Sequence, residues 1–222
     1  MTISREPSSY AYIAENFAVE DDLLQEIRTA GEKLMPGMQV SAVEGRLLQW
    51  LARSINAENI LEIGSFVGYS SLWLARALPT NGKLISLEYN PVHAQIAESF
   101  FTKTNLPIEL RPGKALETLD KMAEEKPLFD LIFIDAAKME YTEYLSKTAP
   151  LLRKGGLLIA DNTLLFGALH DEPRIKTSAK AIETMRNFNH QLASSPDWDS
   201  MLIPTMEGLT VARKLQLSTQ KP

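Results

Sequence analysis

The chain has 222 residues, 45% of them hydrophobic and 23% charged, which is the composition of a globular protein with a core of its own. Its net charge of -5 excludes an overall positive field that would attract nucleic acid or anionic lipid. The absence of cysteine excludes disulfides and thiolate metal sites, so any metal must bind oxygen or imidazole ligands. The start of the chain lacks the apolar run of a signal peptide, and no apolar stretch approaches the ~20 residues of a membrane span. We therefore expect one domain over residues 1–222, in the cytoplasm, with neither nucleic acid nor membrane as a partner.

The N-terminal part has a helical pattern. Between residues 8 and 34, apolar and acidic positions alternate at helical spacing, which predicts one or two amphipathic helices in an extension of about residues 1–37. Ser41 and Glu44 then form a capping-box pattern, which predicts the start of a stronger helix. Its expected apolar face consists of Val43, Leu47, Leu48, Leu51 and Ile55.

From residue 59 onwards, short apolar runs alternate with helical stretches. The predicted strands are 59–63, 83–88, 107–110, 130–135 and 156–161. The predicted helices between them are about 70–78, 91–103, 114–124 and 140–152. Strands that are apolar throughout and alternate with helices predict a parallel sheet covered on both faces, which is the doubly wound α/β class.

The end of the chain departs from a plain dinucleotide-binding domain. After a helix near 176–192, two strands are predicted at about 200–204 and 208–214. The link between them is too short for a crossover helix, so the pair should be antiparallel. The predicted fold is therefore a mostly parallel seven-stranded sheet with a terminal antiparallel hairpin.

The ends of the first two strands have the features of an adenosine site. Gly64 and Gly68 permit a tight turn after the first strand, and a helix begins near Ser70. Glu88 ends the second strand, where a carboxylate can accept hydrogen bonds from both hydroxyls of a ribose. The glycine pattern is not G-x-G-x-x-G, which argues against NAD and favours a ligand that has adenosine but no phosphate. The alternative is that these residues only shape a loop.

The ends of the next two strands carry hard oxygen ligands. Asp135 ends the fourth strand and Asp161-Asn162 end the fifth, and these strands should be neighbours. Two carboxylates and an amide suit Mg²⁺, Mn²⁺ or Ca²⁺. The alternative is that they cap helices. Lys138 lies three residues past Asp135, where a bound dication would favour its neutral form and make it a base; the alternative is a solvated surface lysine.

Taken together, these residues resemble the cation-dependent O-methyltransferases, the group of caffeoyl-CoA and catechol O-methyltransferases. The matching segments are Met38–Ser41 with Glu44-Gly45, Glu62–Ser70, Glu88–Pro91, Gly113–Ala115, Phe133–Asp135 with Lys138, Asp161-Asn162 and Glu207–Thr210. The resemblance implies a class I, Rossmann-like methyltransferase domain, S-adenosylmethionine as methyl donor, a divalent cation that is most simply Mg²⁺, and a homodimer.

The resemblance also implies roles for individual residues. Residues that would line the S-adenosylmethionine site are Val40, Glu62, Gly64, Phe66, Ser70, Glu88, Ala115 and Asp135. Asp135, Asp161 and Asn162 would hold the metal, and Lys138 would take the substrate proton, with Asp135 beside it in the catalytic centre. The acceptor would be a catechol-like small molecule, because only a chelating vicinal diol has its geometry defined by the cation.

Three departures from the family pattern limit these inferences. Ala137 stands where a second aspartate is common, which puts one cofactor contact in doubt. Glu207 replaces the aspartate of a Gly-Asp-Gly motif, and Leu165-Phe166 replace a common tryptophan near the substrate. A non-catalytic adenosine-binding protein and an NAD-dependent dehydrogenase remain as alternatives.

Other conspicuous residues have simpler interpretations. His93, His170 and His190 have no metal-ligand spacing, so surface or capping roles are expected. Trp50 and Trp73 fall on helix faces and are expected in the core.

Overall fold

A computed structural model describes residues 8–170 and 173–215. Its eight α-helices within these ranges are α1 Ser8–Phe17, α2 Asp22–Leu34, α3 Ala42–Ser54, α4 Tyr69–Ala75, α5 Pro91–Phe101, α6 Ala115–Glu125, α7 Tyr141–Thr148 and α8 Ala179–Ser194. The strands are β1 Asn59–Ile63, β2 Lys83–Glu88, β3 Ile108–Pro112, β4 Phe129–Ile134, β5 Leu152–Ala160, β6 Trp198–Ile203 and β7 Leu209–Lys214. Within the same residues, no helix is both long and apolar enough to cross a bilayer.

The seven strands form one sheet in the order β3-β2-β1-β4-β5-β7-β6. Strands β1 to β5 are parallel, and β7 is antiparallel to both β5 and β6. The predicted mostly parallel sheet with an antiparallel terminal hairpin is therefore confirmed. The strand order reverses between β1 and β4, and the crevice at such a reversal is where open α/β sheets bind ligands.

The sheet is covered on both faces because consecutive strand residues point to opposite sides. Leu61, Ile132 and Leu158 belong to the core cluster shared with α6, α7 and α8. Ile60 and Phe133 belong to the opposite cluster, which is shared with α2, α3 and α4. The N-terminal helix α2 is thus part of the core, with its Leu24 and Ile27 fully buried.

Helix α3 begins as predicted but is rotated relative to the expected face. Ser41 accepts a hydrogen bond from the Glu44 backbone and Glu44 reaches back to Ser41, which confirms the capping box. The residues buried along this helix are Glu44, Gly45, Leu48, Gln49 and Ala52. A Cβ atom at Gly45 would lie 2.3 Å from the Trp73 ring, so this glycine lets α4 approach closely. Trp73 is buried as expected, whereas the expectation for Trp50 is wrong, because its side chain is 57% exposed.

The predicted helix at 140–152 is too long. A 3-10 turn at Lys138–Glu140 precedes α7, and a second at Ala149–Leu151 follows it. Pro150 has no amide hydrogen to continue an α-helix, and β5 begins already at Leu152. The other predicted elements occur with small shifts of their ends, the largest being in β5, which begins at Leu152 instead of residue 156.

Candidate active site

The predicted site residues follow the carboxyl ends of four adjacent strands. Gly64 follows β1, Glu88 ends β2, Asp135 follows β4, and Asp161 follows β5. Because these strands are parallel neighbours, their ends meet along one edge of the sheet on both sides of the strand-order reversal. The sequence therefore places the candidate cofactor and metal residues along the same crevice.

The segment Gly64–Gly68, which we call the β1 loop, is held tightly between its neighbours. The Gly64 amide donates to the Leu87 carbonyl of β2 at 2.9 Å. Gly64 has φ +98°, and a Cβ atom there would lie 1.9 Å from the carbonyl oxygen of Asp135. Gly68, with φ +92°, packs against the Phe101 ring in the same way. Glycine is thus required at both ends of the loop by backbone conformation and by space.

Glu88 has the hydrogen-bonding capacity that a ribose needs. Its Oε2 accepts from the Phe66 amide at 2.7 Å, and its Oε1 accepts from the Asn90 amide at 2.8 Å. A carboxylate offers roughly four acceptor positions, two on each oxygen. One position per oxygen is left after these two bonds, which matches the two hydroxyls of a vicinal diol.

His93, for which a surface or capping role was expected, is a partly buried neighbour of this carboxylate. Its Nδ1 lies 3.5 Å from Glu88 Oε1, and its side chain is 16% exposed. Its ring meets the Phe66 ring edge-on, with 4.8 Å between centroids. The signal that could have found it is its place in the first turn of α5, directly after the end of β2. The other histidines, His170 and His190, are exposed.

Glu62, a residue of β1, binds side chains of α4 and β2 through hydrogen bonds. The side chain has no exposed surface, and its carboxylate accepts hydrogen bonds from the hydroxyls of Ser70, Ser71 and Ser86. Burial raises the pKa of Glu62 to about 7, against the opposing effect of these three hydroxyls. Ser70 thereby ties the start of α4 to the centre of the sheet. Direct contact of Glu62 or Ser70 with a cofactor stays a prediction.

The remaining predicted cofactor residues border the same edge. Val40 is buried immediately before the Ser41 cap of α3. Phe66 is half-buried with φ +48° in the β1 loop, and Ala115 is the first residue of α6, after the end of β3. Contact of these residues with a cofactor also stays a prediction.

Negative charge is concentrated at the ends of β4 and β5. Asp161 is 3% exposed, and its pKa is raised well above the usual value by burial and then by the carboxylates of Asp135 and Glu44. One Asp161 oxygen accepts from the Asn162 amide at 2.7 Å, and Asn162 has φ +56°, which asparagine tolerates better than most residues. Buried carboxylates that repel one another favour a bound cation.

The metal prediction depends on an amide as the third ligand. Among residues 8–170 and 173–215, no three histidine, cysteine, aspartate or glutamate side chains are grouped so that they could hold an ion. The predicted set has only two carboxylates, Asp135 and Asp161, together with the side-chain amide of Asn162. Its chemistry fits a hard divalent cation, because carboxylate and amide oxygens are the ligands such cations prefer.

Lys138 lies beside these carboxylates and not in solvent. Its Nζ donates to Asp135 Oδ1 at 2.8 Å and to Tyr141 Oη at 2.7 Å, and its side chain is 18% exposed. Burial disfavours its charge, but the carboxylates of Asp135 and Asp161 outweigh this effect and raise the pKa of Lys138. The alternative of a solvated surface lysine is therefore wrong. As long as the carboxylates carry no other counter-charge, Lys138 is protonated.

A family model described as O-methyltransferase matches residues 14–215. The chain belongs to the O-methyltransferase family. A catechol O-methyltransferase from Niastella koreensis is 40% identical over 196 residues, covering 86% of this chain and 87% of that protein. A caffeoyl-CoA O-methyltransferase from Eucalyptus gunnii is 34% identical over 220 residues, covering 94% of this chain and 88% of its own length.

Solved structures agree with this assignment. An O-methyltransferase from Streptomyces achromogenes involved in tomaymycin synthesis, in complex with SAM, has a TM-score of 0.86 at 32% identity and covers 97% of this chain and 100% of that one. An O-methyltransferase from Bacillus cereus in complex with SAH has a TM-score of 0.84 at 32% identity, covering 92% and 96%. The predicted family, the Rossmann-like class I fold and a SAM-dependent O-methyltransferase activity are confirmed. The dehydrogenase and non-catalytic alternatives are not favoured.

The departures from the family pattern lie after β4, after β5 and before β7. Glu207 Oε1 forms an ion pair with Arg174 at 3.0 Å, and Arg174 also binds the Phe166 carbonyl through its backbone amide. Leu165 and Phe166 have φ values of +52° and +54°, so the segment after Asn162 turns back sharply. Arg174 is a residue that the sequence analysis missed, since its partner is 33 positions away in the sequence. Ala137 is exposed and brings no charge to the crevice.

Proposed function

We propose that this O-methyltransferase transfers a methyl group from S-adenosylmethionine to one hydroxyl of a catechol-like vicinal diol, with the help of a divalent cation. The single observation that carries the proposal is the position of Asp135, Asp161 and Asn162 directly after the neighbouring parallel strands β4 and β5, where Asp161 is almost fully buried. Burial, and then the carboxylates of Asp135 and Glu44, raise the pKa of Asp161, and a bound cation would relieve both effects. The names of the relatives, catechol and caffeoyl-CoA O-methyltransferase, support the same class of acceptor.

Each residue of the crevice has a defined part in this reaction. Glu88 binds the ribose hydroxyls through the two acceptor positions that Phe66 and Asn90 leave open. Asp135, Asp161 and Asn162 hold the cation, most simply Mg²⁺, with Mn²⁺ or Ca²⁺ as alternatives. A cation held there would supply Lewis-acid chemistry, which would make the acceptor hydroxyl easier to ionise.

Lys138 then acts as the base. It is held protonated by Asp135 as long as no other positive charge is present. A dication held by Asp135 and Asp161 would remove that support and add like-charge repulsion, which would favour the neutral amine of Lys138. Its lone pair takes the acceptor proton, which leaves the phenolate to attack the sulfonium methyl.

The test separates metal binding from cofactor binding. Enzyme stripped with EDTA should lose methyl transfer to a simple catechol and regain it with Mg²⁺, and a monohydroxy phenol should not be methylated. Asp161→Ala should abolish turnover, while its dissociation constant for S-adenosylmethionine, measured by calorimetry, should change little. Asp199→Asn removes an exposed carboxylate of β6 and should behave as wild type. Full activity of both the EDTA-treated enzyme and Asp161→Ala would exclude the cation from the mechanism.

We further propose that residues 1–222 form one methyltransferase domain with an N-terminal extension of about 1–37, acting as a homodimer in the cytoplasm. Exposed apolar side chains on two contacting helices, Tyr12 and Phe17 on α1 and Trp50 on α3, support self-association. Light scattering should give twice the chain mass of 24.8 kDa. Trp50→Arg should reduce it to one chain mass, and a monomeric wild type would exclude the dimer.

A further inference from the structure

Tyr141 connects the candidate base to both metal-binding strands. It has no exposed surface, and its hydroxyl lies 2.9 Å from the Asp161 carbonyl oxygen and 2.7 Å from Lys138 Nζ. The Ile134 carbonyl is farther away, at 3.3 Å. A phenol has one proton to donate, and the shorter distance assigns it to Asp161. The hydroxyl oxygen therefore faces Lys138 as an acceptor only.

The hydrogen bonds of Lys138 leave one direction free. An ammonium group has three N–H donors at tetrahedral angles. One is directed at Asp135 Oδ1 and a second at Tyr141 Oη, at 2.8 and 2.7 Å. When the third proton is lost, the lone pair takes its place, and the two remaining N–H groups still bind Asp135 and Tyr141. This geometry holds irrespective of the pH at which the proton leaves.

We infer that Tyr141 is a positioning residue that aims the lone pair of Lys138 at the acceptor hydroxyl. Without Tyr141, only Asp135 would hold the amine, and the group could rotate about the Lys138 side-chain axis with its lone pair in several directions. The proton passes from the acceptor oxygen to Nζ, which becomes a full ammonium with two of its hydrogens still bound to Asp135 and Tyr141. The inference rests on the proposed role of Lys138 as the base.

The ring of Tyr141 makes the test practicable, because it packs independently of the hydroxyl. It meets the Phe188 ring edge-on at 5.3 Å between centroids, and both residues are fully buried. Tyr141→Phe keeps this packing and removes one oxygen. Tyr144→Phe is the matched control: it removes another buried hydroxyl of α7, one that binds Glu140 and has no bond to Lys138.

We expect Tyr141→Phe to lower kcat about 10-fold to 100-fold with a simple catechol, which is part of the 10²–10⁴-fold contribution of general base catalysis. KM for the acceptor and the Mg²⁺ and S-adenosylmethionine dissociation constants should stay within about twofold, since the Tyr141 hydroxyl is buried and already bonded to Lys138 and to the Asp161 carbonyl. With a nitro-substituted catechol that is already ionised at the assay pH, the defect should nearly vanish. Tyr144→Phe should resemble wild type with both acceptors.

A double-mutant cycle makes the result decisive. In a Lys138→Met background, Tyr141→Phe should cause little further loss, because a residue that acts through Lys138 has nothing left to position. An equal defect with both acceptors, or an undiminished loss in the Lys138→Met background, would overturn the inference and make Tyr141 a structural residue. If Lys138→Met itself leaves the rate unchanged, the proposed base fails, which is a separate outcome.

Discussion

The backbone of Gly64 touches the backbone of Asp135 so closely that only hydrogen fits between them. A Cβ atom at Gly64 would lie 1.9 Å from the Asp135 carbonyl oxygen, and Gly64 has φ +98°. Gly64 begins the β1 loop, and Asp135 is the first residue after β4. The β1 loop, which is proposed to bind the cofactor, can therefore lie this close to Asp135, a proposed metal ligand, only because residue 64 has no side chain.

Gly64→Ala should destabilise the fold and weaken cofactor binding together. A positive φ is strained for alanine by about 1–3 kcal/mol, and forcing a methyl group into a filled space costs about 1–3 kcal/mol more. We expect the free energy of unfolding, measured in urea, to fall by about 2–6 kcal/mol.

Gly113→Ala serves as the control for the strain alone. Gly113 has φ +129° but no atom within 4 Å of an added Cβ. It should lose only the conformational part of the stability, about 1–3 kcal/mol. Equal losses in the two variants would mean that the contact with Asp135 relaxes without cost.

Glu88→Gln should weaken S-adenosylmethionine binding more than it slows methyl transfer. The amide keeps one acceptor oxygen, but its NH₂ group faces the amide of either Phe66 or Asn90, which are donors themselves. Hydrogen bonds to charged groups contribute about 1.5–3 kcal/mol, so we expect the dissociation constant to rise about 10-fold to 100-fold. Calorimetry measures this value, and kcat at saturating cofactor should change little. Glu117→Gln, at an exposed position of α6, is the matched control, and a wild-type dissociation constant in Glu88→Gln would refute the ribose role.

Site residues that directly follow a strand could be predicted from the sequence. Site residues whose role depends on hydrogen bonds to distant side chains could not. The positions of Asp135 and Asp161 followed from apolar strands whose ends must meet in a parallel sheet. Tyr141 could not be found in this way, because its role arises from bonds to Lys138 and to the end of β5, twenty positions away. Arg174 was missed for the same reason, since its partner Glu207 is 33 positions away. His93 lies only five positions from Glu88, so its place in the first turn of α5 could have indicated this contact. The burial predicted for Trp50 was wrong because α3 packs against Trp73 through Gly45. Helical periodicity alone does not show which face of a helix will pack against a neighbouring ring.

Glu62 should make stability depend on pH between about 4.5 and 7. Burial raises its pKa in the folded protein from 4.5 to about 7, so in this range the folded state binds a proton that the unfolded state does not. Stability contributed by that proton is fully present below pH 4.5 and is lost as pH rises through about 7. The shift corresponds to roughly 3 kcal/mol.

The comparison with Glu62→Gln isolates this contribution. Glutamine is neutral at all pH values and can still accept from a serine hydroxyl, so its stability should lack this component of the pH dependence. Urea unfolding at pH 5 and pH 8 should show wild type losing roughly 3 kcal/mol more than the variant. Parallel losses in the two proteins would mean that Glu62 has the same pKa in the folded and unfolded states.

Glu44→Gln should lower cation affinity without damaging α3. Glu44 accepts from the Ser41 amide at 3.0 Å, and glutamine serves equally well in a capping box, so the helix start is preserved. The charge of Glu44 contributes to the raised pKa of both Asp161 and Glu207, so it acts on the ends of β5 and β7. Its removal should raise the Mg²⁺ dissociation constant on the order of threefold to tenfold at low salt, and less at high salt. The metal-free variant should be at least as stable as wild type, because repulsion between buried carboxylates is relieved.

Calorimetric titration with Mg²⁺ in the presence of S-adenosylhomocysteine measures the affinity, with Glu98→Gln on the exposed side of α5 as the control. Unchanged Mg²⁺ affinity in Glu44→Gln would show that the cation binds outside the field of this carboxylate, and therefore away from Asp161.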